Sequence, residues 1–184
     1  MVAELKPLNA TAAALLGLLS HGDMSGYELY KTADTVVGDY WTVTRSQVYR
    51  ELAAMDAAGL VEAGDEGPRS RRPYALTGKG RAAFAEWIVR EPAPEVIRFP
   101  LLLTINFGAW VGSERVLDFA AHQRPAHEER LAAYRELEKV AVEYGQPFVG
   151  ATVAFGIHYE RAVLAWMDEL PGLLADVPAE PTES

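Results

Sequence analysis

Residues 44–61 read TRSQVYRELAAMDAAGLV, and this stretch decides the fold. Thr44 and Gln47 have the spacing of a capping box, in which each side chain bonds the other residue's backbone amide at the start of a helix. Three apolar residues then recur at helical spacing and form one face: Val48, Leu52 and Met55. The stretch therefore predicts an amphipathic helix that ends at Gly59.

The remaining faces of this helix carry donor side chains close to its N-terminal end: Arg45, Ser46, Tyr49 and Arg50. Arg binds guanine or phosphate with two parallel hydrogen bonds, and the hydroxyl groups of Ser and Tyr donate to phosphate. The free amides of a helix N-terminus also favour phosphate. We expect these four residues to contact DNA. For Tyr49 the alternative is an aromatic at the edge of the core, covered by the segment that follows.

Two further helices are predicted upstream of this stretch. The first ends near Gly22 and has a stripe of five apolar residues: Leu8, Ala12, Leu15, Leu16 and Leu19. Ser25 and Glu28 have the spacing of a second capping box, which starts another helix that continues to about Val37. The helix of residues 44–59 is therefore the third of three.

The periodicity changes downstream of the third helix. Residues 60–63 and 71–76 are extended in pattern, and the intervening residues 64–70 are rich in Gly, Pro and charge. This pattern predicts a β-hairpin wing. Arg71 and Arg72 make the wing basic, and we expect them to contact the DNA backbone or minor groove. The alternative is that they are solvated surface residues, as most short charge runs are.

A fourth helix and a domain boundary complete the first half of the chain. Thr77 can cap this helix, and Pro92-Ala-Pro94 ends it. We therefore expect a DNA-binding domain over residues 1–91 and a second domain over residues 92–175. Residues 176–184 are rich in Pro, Glu and Ala, which predicts a disordered tail.

The second half contains helical patterns only. The apolar residues 100–110 predict a buried helix, Ser113 can cap a longer one that Pro125 kinks or interrupts, and residues 148–170 predict the last. Six aromatic residues in these segments form a dimer interface, a plain core or the lining of a ligand pocket: Phe107, Trp110, Phe148, Phe155, Tyr159 and Trp166.

Several of these segments together resemble the PadR family of transcriptional regulators. The resemblance covers residues 8–90 and rests on the following residues: Ser25-Gly26-Tyr27, Val48-Tyr49, Leu52, Met55, Gly59-Leu60, Arg72-Pro73-Tyr74, Leu76-Thr77 and Gly80. It implies dimerisation through the C-terminal helices and repression that small aromatic or amphipathic molecules release. Arg50 departs from the family pattern, which often has Pro after the Tyr.

Charge is distributed unevenly along the chain. The formal net charge of −9 opposes DNA binding as a whole. Residues 1–90 carry only −1 of this charge, whereas residues 91–184 carry −8. DNA contact is therefore feasible locally, in the first half.

Other classes of protein fit the sequence poorly. There is no Cys, which excludes disulfides and cysteine nucleophiles and fits a cytoplasmic protein. The sequence Thr77-Gly78-Lys79-Gly80 lacks the spacing of a phosphate-binding loop, and Ser113 lacks the glycines of a nucleophile elbow, so we expect no enzyme. His122 and His127 have no third ligand nearby in sequence, and we expect neither a metal nor another cofactor.

The sequence thus predicts a mainly α fold with a small β-hairpin wing: an N-terminal winged helix-turn-helix followed by a C-terminal helical dimerisation domain. The expected function is that of a sequence-specific DNA-binding regulator, a repressor that binds a pseudo-palindromic operator as a homodimer. A small aromatic or amphipathic ligand is a candidate effector. The alternative is a winged-helix module that binds proteins and not DNA.

Overall fold

A computed structural model describes residues 8–38, 40–65, 67 and 71–175 of the chain. The chain divides into two compact units, residues 1–94 and residues 95–184. The predicted tail, residues 176–184, lies outside the described residues. No helix in the described ranges combines the length and the apolar character that crossing a membrane requires.

The described residues of the first unit form four helices and three short strands. In chain order they are α1 (Ala10–Leu19), β1 (Met24–Ser25), α2 (Gly26–Val36), α3 (Arg45–Ala57), β2 (Val61–Ala63), β3 (Pro73–Leu76) and α4 (Gly78–Ile88). Helices α2 and α3 begin where the sequence predicts caps, since Ser25 and Thr44 both form complete capping boxes. The hydroxyl of Thr77 likewise accepts a hydrogen bond from the Gly80 amide at the start of α4.

One apolar core holds the first unit together. Leu15 and Leu16 of α1, Leu29 of α2, and Val48 and Leu52 of α3 are all fully buried in it. Burying each such side chain stabilises the fold by ~1.5–3 kcal/mol. All of them except Leu29 belong to the apolar stripes that the sequence predicts.

The sheet contains one strand that the sequence analysis did not predict. The order of strands is β1-β3-β2, all antiparallel, with Val61 opposite Leu76 and Met24 opposite Tyr74. The predicted wing hairpin, β2 and β3, is present. The extra strand β1 has only two residues, too few for alternating hydrophobicity to mark it in the sequence.

The second unit is helical, as predicted. Its helices are α5 (Pro100–Asn106), α6 (Ser113–Glu143) and α7 (Pro147–Leu173), and a 3₁₀ turn spans Gly108–Trp110. The long helices α6 and α7 pack against each other through two apolar clusters, which include Leu131 with Ile157 and Ala120 with Met167. The fold as a whole is mainly α with a small antiparallel sheet, which confirms the predicted class.

Three local predictions in the second unit are wrong. Ser113 does not cap α6, because Gly112 occupies the cap position with a φ of 84°. Pro125 does not interrupt α6, which continues through it from Ser113 to Glu143. The neighbouring turn is tied to α7 by the hydrogen bond from Arg124 Nη1 to Asp168 Oδ1 at 2.8 Å. The kink that the sequence gives as the other effect of Pro125 stays a prediction. Residues 100–110 do not form one buried helix, because α5 ends at Asn106 and only its Leu101 is buried.

Candidate DNA-binding site

The first turn of α3 is held in place by its own cap and by the core. The Gln47 amide donates to the Thr44 hydroxyl oxygen at 3.2 Å, and the Thr44 amide donates to Gln47 Oε1 at 2.7 Å. One turn later, Val48 is completely buried. The start of α3 and the direction of its faces are therefore both fixed.

The predicted donor residues all lie on the exposed side of α3. Arg45, Ser46, Tyr49 and Arg50 are exposed. Arg50 Nη2 lies 3.6 Å from Glu51 Oε1, so its charge is partly compensated. Arg45 forms no ion pair with any described residue. The first turn of α3 thus presents one guanidinium whose charge no carboxylate of the described residues neutralises.

Two tyrosines flank this guanidinium. The Arg45 Cζ lies 5.6 Å from the centroid of the Tyr27 ring and 5.6 Å from the centroid of the Tyr49 ring. These distances are within the range of cation–π attraction. Tyr27 is in the first turn of α2, so the cluster joins the N-terminal ends of two helices.

A glycine allows the Tyr49 ring to lie close to α2. A Cβ atom on Gly26 would be 2.8 Å from Tyr49 Cε1 and 3.0 Å from Tyr49 Cζ. Contacts this short do not occur between ordinary side chains, so a larger residue at position 26 would displace the ring. Tyr49 therefore packs over the start of α2, which differs from the predicted alternative of burial beneath the wing.

The wing arginines are already engaged within the first unit. Arg71 forms an ion pair with Glu28, and Arg72 Nε donates to the Gly64 carbonyl oxygen at 2.9 Å. Both side chains are nevertheless exposed and retain further N–H donors. They can bind a phosphate, but Arg71 does so in competition with a carboxylate.

The carboxylate of Glu28 has two structural roles. It closes the α2 capping box by accepting hydrogen bonds from the Ser25 amide and hydroxyl, and it pairs with Arg71. The hydrogen bonds from Ser25, followed by the charge of Arg71, hold the pKa of Glu28 below its ordinary value. Glu28 is therefore ionised at neutral pH and links α2 to the wing.

The six aromatic residues predicted in the second unit do not form one group. Trp166 is half-buried and packs against Phe99, with ring centroids 5.9 Å apart. The other five are exposed: Phe107, Trp110, Phe148, Phe155 and Tyr159. None of the six lines either of two cavities in this unit, of about 130 and 330 Å³.

Three exposed aromatics share one face of α7. Phe148, Phe155 and Tyr159 follow helical spacing, and the rings of Phe155 and Tyr159 stack with centroids 6.4 Å apart. The opposite face, which includes Val153 and Ile157, is buried against α6. We call the exposed side, Phe148, Phe155 and Tyr159, the α7 aromatic face.

Sequence reasoning missed two features of the molecule. Tyr27 contacts Arg45, but the two residues lie on different helices and no periodicity relates them. The buried Glu160 accepts a hydrogen bond from Arg130 Nε at 2.7 Å, and its other oxygen lies 2.5 Å from His127 Nδ1. His127 thus joins α6 to α7, and the described residues contain no group of three or more acidic or His side chains able to hold a metal.

The arrangement of the first unit defines the class of protein. Three helices, a two-stranded wing packed on a third short strand, and a fourth helix form a winged helix-turn-helix. Its third helix presents exposed donors at its N-terminal end, as the recognition helix does in regulators of this class. The fold and the site are those of a winged-helix transcriptional regulator.

Comparison with known sequences identifies the family. Residues 15–86 match the transcriptional regulator PadR-like family, and residues 97–175 match the C-terminal region of virulence activator alpha. The negative transcriptional regulator PadR of Bacillus subtilis is 22% identical over 174 residues, which cover 88% of this chain and 95% of that protein. A probable transcriptional regulator of Mycobacterium tuberculosis is 28% identical over 182 residues, with coverages of 89% and 96%. Residues 15–86 of the chain therefore form a domain of the PadR-like family of transcriptional regulators.

Solved structures have the same fold over nearly the whole chain. Bacillus subtilis PadR in complex with operator DNA has a TM-score of 0.71 at 21% identity, covering 91% of this chain and 99% of that one. The same protein in complex with p-coumaric acid has a TM-score of 0.66 at 21% identity, and the match covers 91% of this chain and 100% of that one. The Vibrio cholerae virulence activator AphA has a TM-score of 0.68 at 25% identity, and the match covers 92% of this chain and 100% of that one.

Proposed function

We propose that this protein is a transcriptional repressor that binds a pseudo-palindromic operator as a homodimer. The observation that carries the proposal is the exposed first turn of α3, where the Arg45 guanidinium has no carboxylate partner among the described residues. In this proposal residues 1–91 bind DNA and residues 92–175 dimerise. The protein acts in the cytoplasm and has no catalytic activity.

The DNA contacts divide between base reading and backbone binding. The N-terminal end of α3 enters the major groove, where Arg45 reads guanine, and the wing follows the phosphates. The residues proposed to contact DNA are Arg45, Ser46, Tyr49, Arg50, Arg71 and Arg72. The near-neutral charge of residues 1–90 supports this assignment, since most of the acidic charge lies elsewhere in the sequence. The Bacillus relative solved with operator DNA supports it as well.

Repression is proposed from the relatives. The Bacillus protein, 22% identical, is described as a negative regulator, and its match covers 95% of that protein. A repressor of this kind blocks transcription by occupying its operator. Release of the operator then requires an effector or a fall in the concentration of the dimer.

The α7 aromatic face supports the proposed homodimer. Phe148 is 88% exposed and Phe155 is 64% exposed in the single chain, on a helix whose other face is already buried against α6. Large exposed apolar side chains that share one face are typical of interaction sites. A two-fold dimer would cover the same face on both subunits. It would also place two recognition helices about one DNA turn apart.

The proposal includes a small aromatic effector. Its basis is the Bacillus relative solved with p-coumaric acid, together with the exposed aromatic residues of the second unit. A planar aromatic acid that binds this chain should quench Trp fluorescence and lower its affinity for DNA, because coupling between two sites is reciprocal. Quenching with no change in DNA affinity would contradict the effector role.

Selection from a pool of random duplex DNA tests the proposal directly. The full chain should enrich a pseudo-palindrome whose half-sites lie about 10 base pairs apart, or a multiple of that spacing. Enrichment of a single half-site would contradict the homodimer. Failure to enrich any sequence at low salt would favour the alternative, a winged-helix module that binds proteins.

A further inference from the structure

Three side chains at the N-terminal ends of α2 and α3 form a cluster whose role extends the proposed function. They are Tyr27, Arg45 and Tyr49. The Arg45 Cζ lies 5.6 Å from the centroid of each tyrosine ring. We infer that Tyr27 is a positioning residue for base reading, which together with Tyr49 holds the Arg45 guanidinium ready for guanine. The inference rests on the proposed function, because it requires that α3 bind DNA.

The two helix ends are positioned independently of DNA. The capping box of Ser25 and Glu28 fixes the start of α2, and the capping box of Thr44 and Gln47 fixes the start of α3. Gly26 admits the Tyr49 ring, since a Cβ at that position would lie 2.8 Å from it. The cluster is therefore formed before DNA arrives, and less side-chain freedom is lost on binding.

Arg45 differs from the other arginines proposed to contact DNA. Arg50 lies near Glu51, Arg71 pairs with Glu28, and Arg72 donates to a backbone carbonyl. Arg45 instead lies near two aromatic rings, which attract its charge without neutralising it. No acceptor among the described residues occupies its N–H donors, which therefore remain available to DNA.

The chemistry of this contact favours a base over a phosphate. Aromatic rings attract a guanidinium through its face, whereas its five N–H donors point outward in its plane. A guanidinium held in this way can meet the O6 and N7 atoms of guanine edge-on, which is the bidentate contact that reads a G·C pair. A lysine at position 45 has no such planar donor edge.

Tyr27 is suitable for mutation because it does not belong to the core. It is 50% exposed, so its removal should leave the melting temperature close to that of the unchanged protein. Tyr40→Ala serves as a matched control. Tyr40 is 53% exposed in the same unit and makes no ring contact with an arginine among the described residues.

The experiment is a double-mutant cycle on the full chain, using the duplex that the unchanged protein enriches from random DNA. Each G·C pair of the half-site is replaced in turn by A·T. Tyr27→Ala should lower affinity about two- to fivefold per half-site, as expected for one exposed cation–π contact, and should weaken discrimination at one G·C pair. Arg45→Ala should abolish discrimination at the same pair.

The outcomes separate positioning from an independent contact. On the Arg45→Ala background, Tyr27→Ala should cost no further affinity. In the otherwise unchanged protein, Tyr27→Phe should retain full affinity because it keeps the ring. Multiplicative losses in the double variant, or a Tyr27→Phe loss as large as that of Tyr27→Ala, would overturn the inference and assign Tyr27 to phosphate. If the unchanged protein enriches no duplex, the proposed function itself fails, and this result precedes any test of the variants.

Discussion

Replacing Phe155 with Ala should weaken the proposed homodimer without unfolding the protomer. Phe155 is 64% exposed on the α7 aromatic face, so nearly two thirds of its side chain is available to a partner. Burying a whole Phe side chain contributes ~1.5–3 kcal/mol, and the exposed part therefore ~1–2 kcal/mol. A two-fold interface carries the substitution twice. The loss is then ~2–4 kcal/mol, which raises the dimer dissociation constant about 30-fold to 10³-fold.

Sedimentation velocity over a dilution series measures this change. The protomer should retain its helical content, because the opposite face of α7, with Val153 and Ile157, keeps its contacts with α6. Val36→Ala is the control, since Val36 is also exposed, at 55%, but lies in the first unit. The control should dissociate at the same concentration as the unchanged protein.

Two results would refute this reasoning. If the unchanged protein sediments as a monomer at every concentration, no homodimer exists for the α7 aromatic face to form. If Phe155→Ala and Val36→Ala dissociate alike, the homodimer uses another surface. In either case the exposure of this face would need a different explanation.

Three further predictions concern the first unit. Replacing Arg71 and Arg72 together with Ala should flatten the slope of log affinity against log salt by about 2, and an unchanged slope would remove the wing from the interface. The pKa of Glu28 is lower in the folded than in the unfolded protein, so its ionised form stabilises the fold above the unfolded pKa, and this stability is lost as pH falls through the folded pKa. Glu28→Gln should therefore make the melting temperature fall less steeply with decreasing pH in thermal melts. Gly80→Ala would put a Cβ 2.0 Å from a backbone oxygen and should lower the unfolding free energy by at least ~1–3 kcal/mol in urea titrations, whereas Gly78→Ala, with open space, should not.

The sequence predicted the helices of the first unit closely because their signals are local. The capping boxes at Ser25 and Thr44 depend on residues three positions apart, and the apolar stripe of α3 depends on residues within two turns. Such signals do not require knowledge of the rest of the fold. The exposed side of α3 follows from the same periodicity.

The contacts between elements could not be predicted in this way. The ion pair of Arg71 with Glu28 joins residues 43 positions apart, and the hydrogen bond of Arg130 with Glu160 joins residues 30 apart. Nothing in periodicity or capping specifies such a pairing. For this reason the sequence did not predict that Arg71 and Arg72 have partners within the first unit, or that Tyr27 lies beside Arg45.

Residues 100–110 illustrate a different limit. Their apolar composition predicts burial, and yet Leu103 is exposed in α5 and Trp110 is exposed beyond its end. An apolar sequence indicates that its side chains become buried, but it does not specify the surface against which they pack. In a single chain these residues remain uncovered, and the proposed homodimer is one way in which they become buried.

The most direct test of the account is the affinity of the full chain for its selected duplex and for a scrambled duplex of the same length, measured over a range of salt concentrations. The selected duplex should bind at least ~10³-fold more tightly than the scrambled duplex near physiological salt, and both affinities should fall as salt rises. Arg45→Ala should reduce the ratio between the two duplexes by about 5- to 150-fold per half-site, the range for loss of one bidentate base contact. Equal affinities for the two duplexes, or a ratio that Arg45→Ala leaves unchanged, would contradict sequence reading by α3.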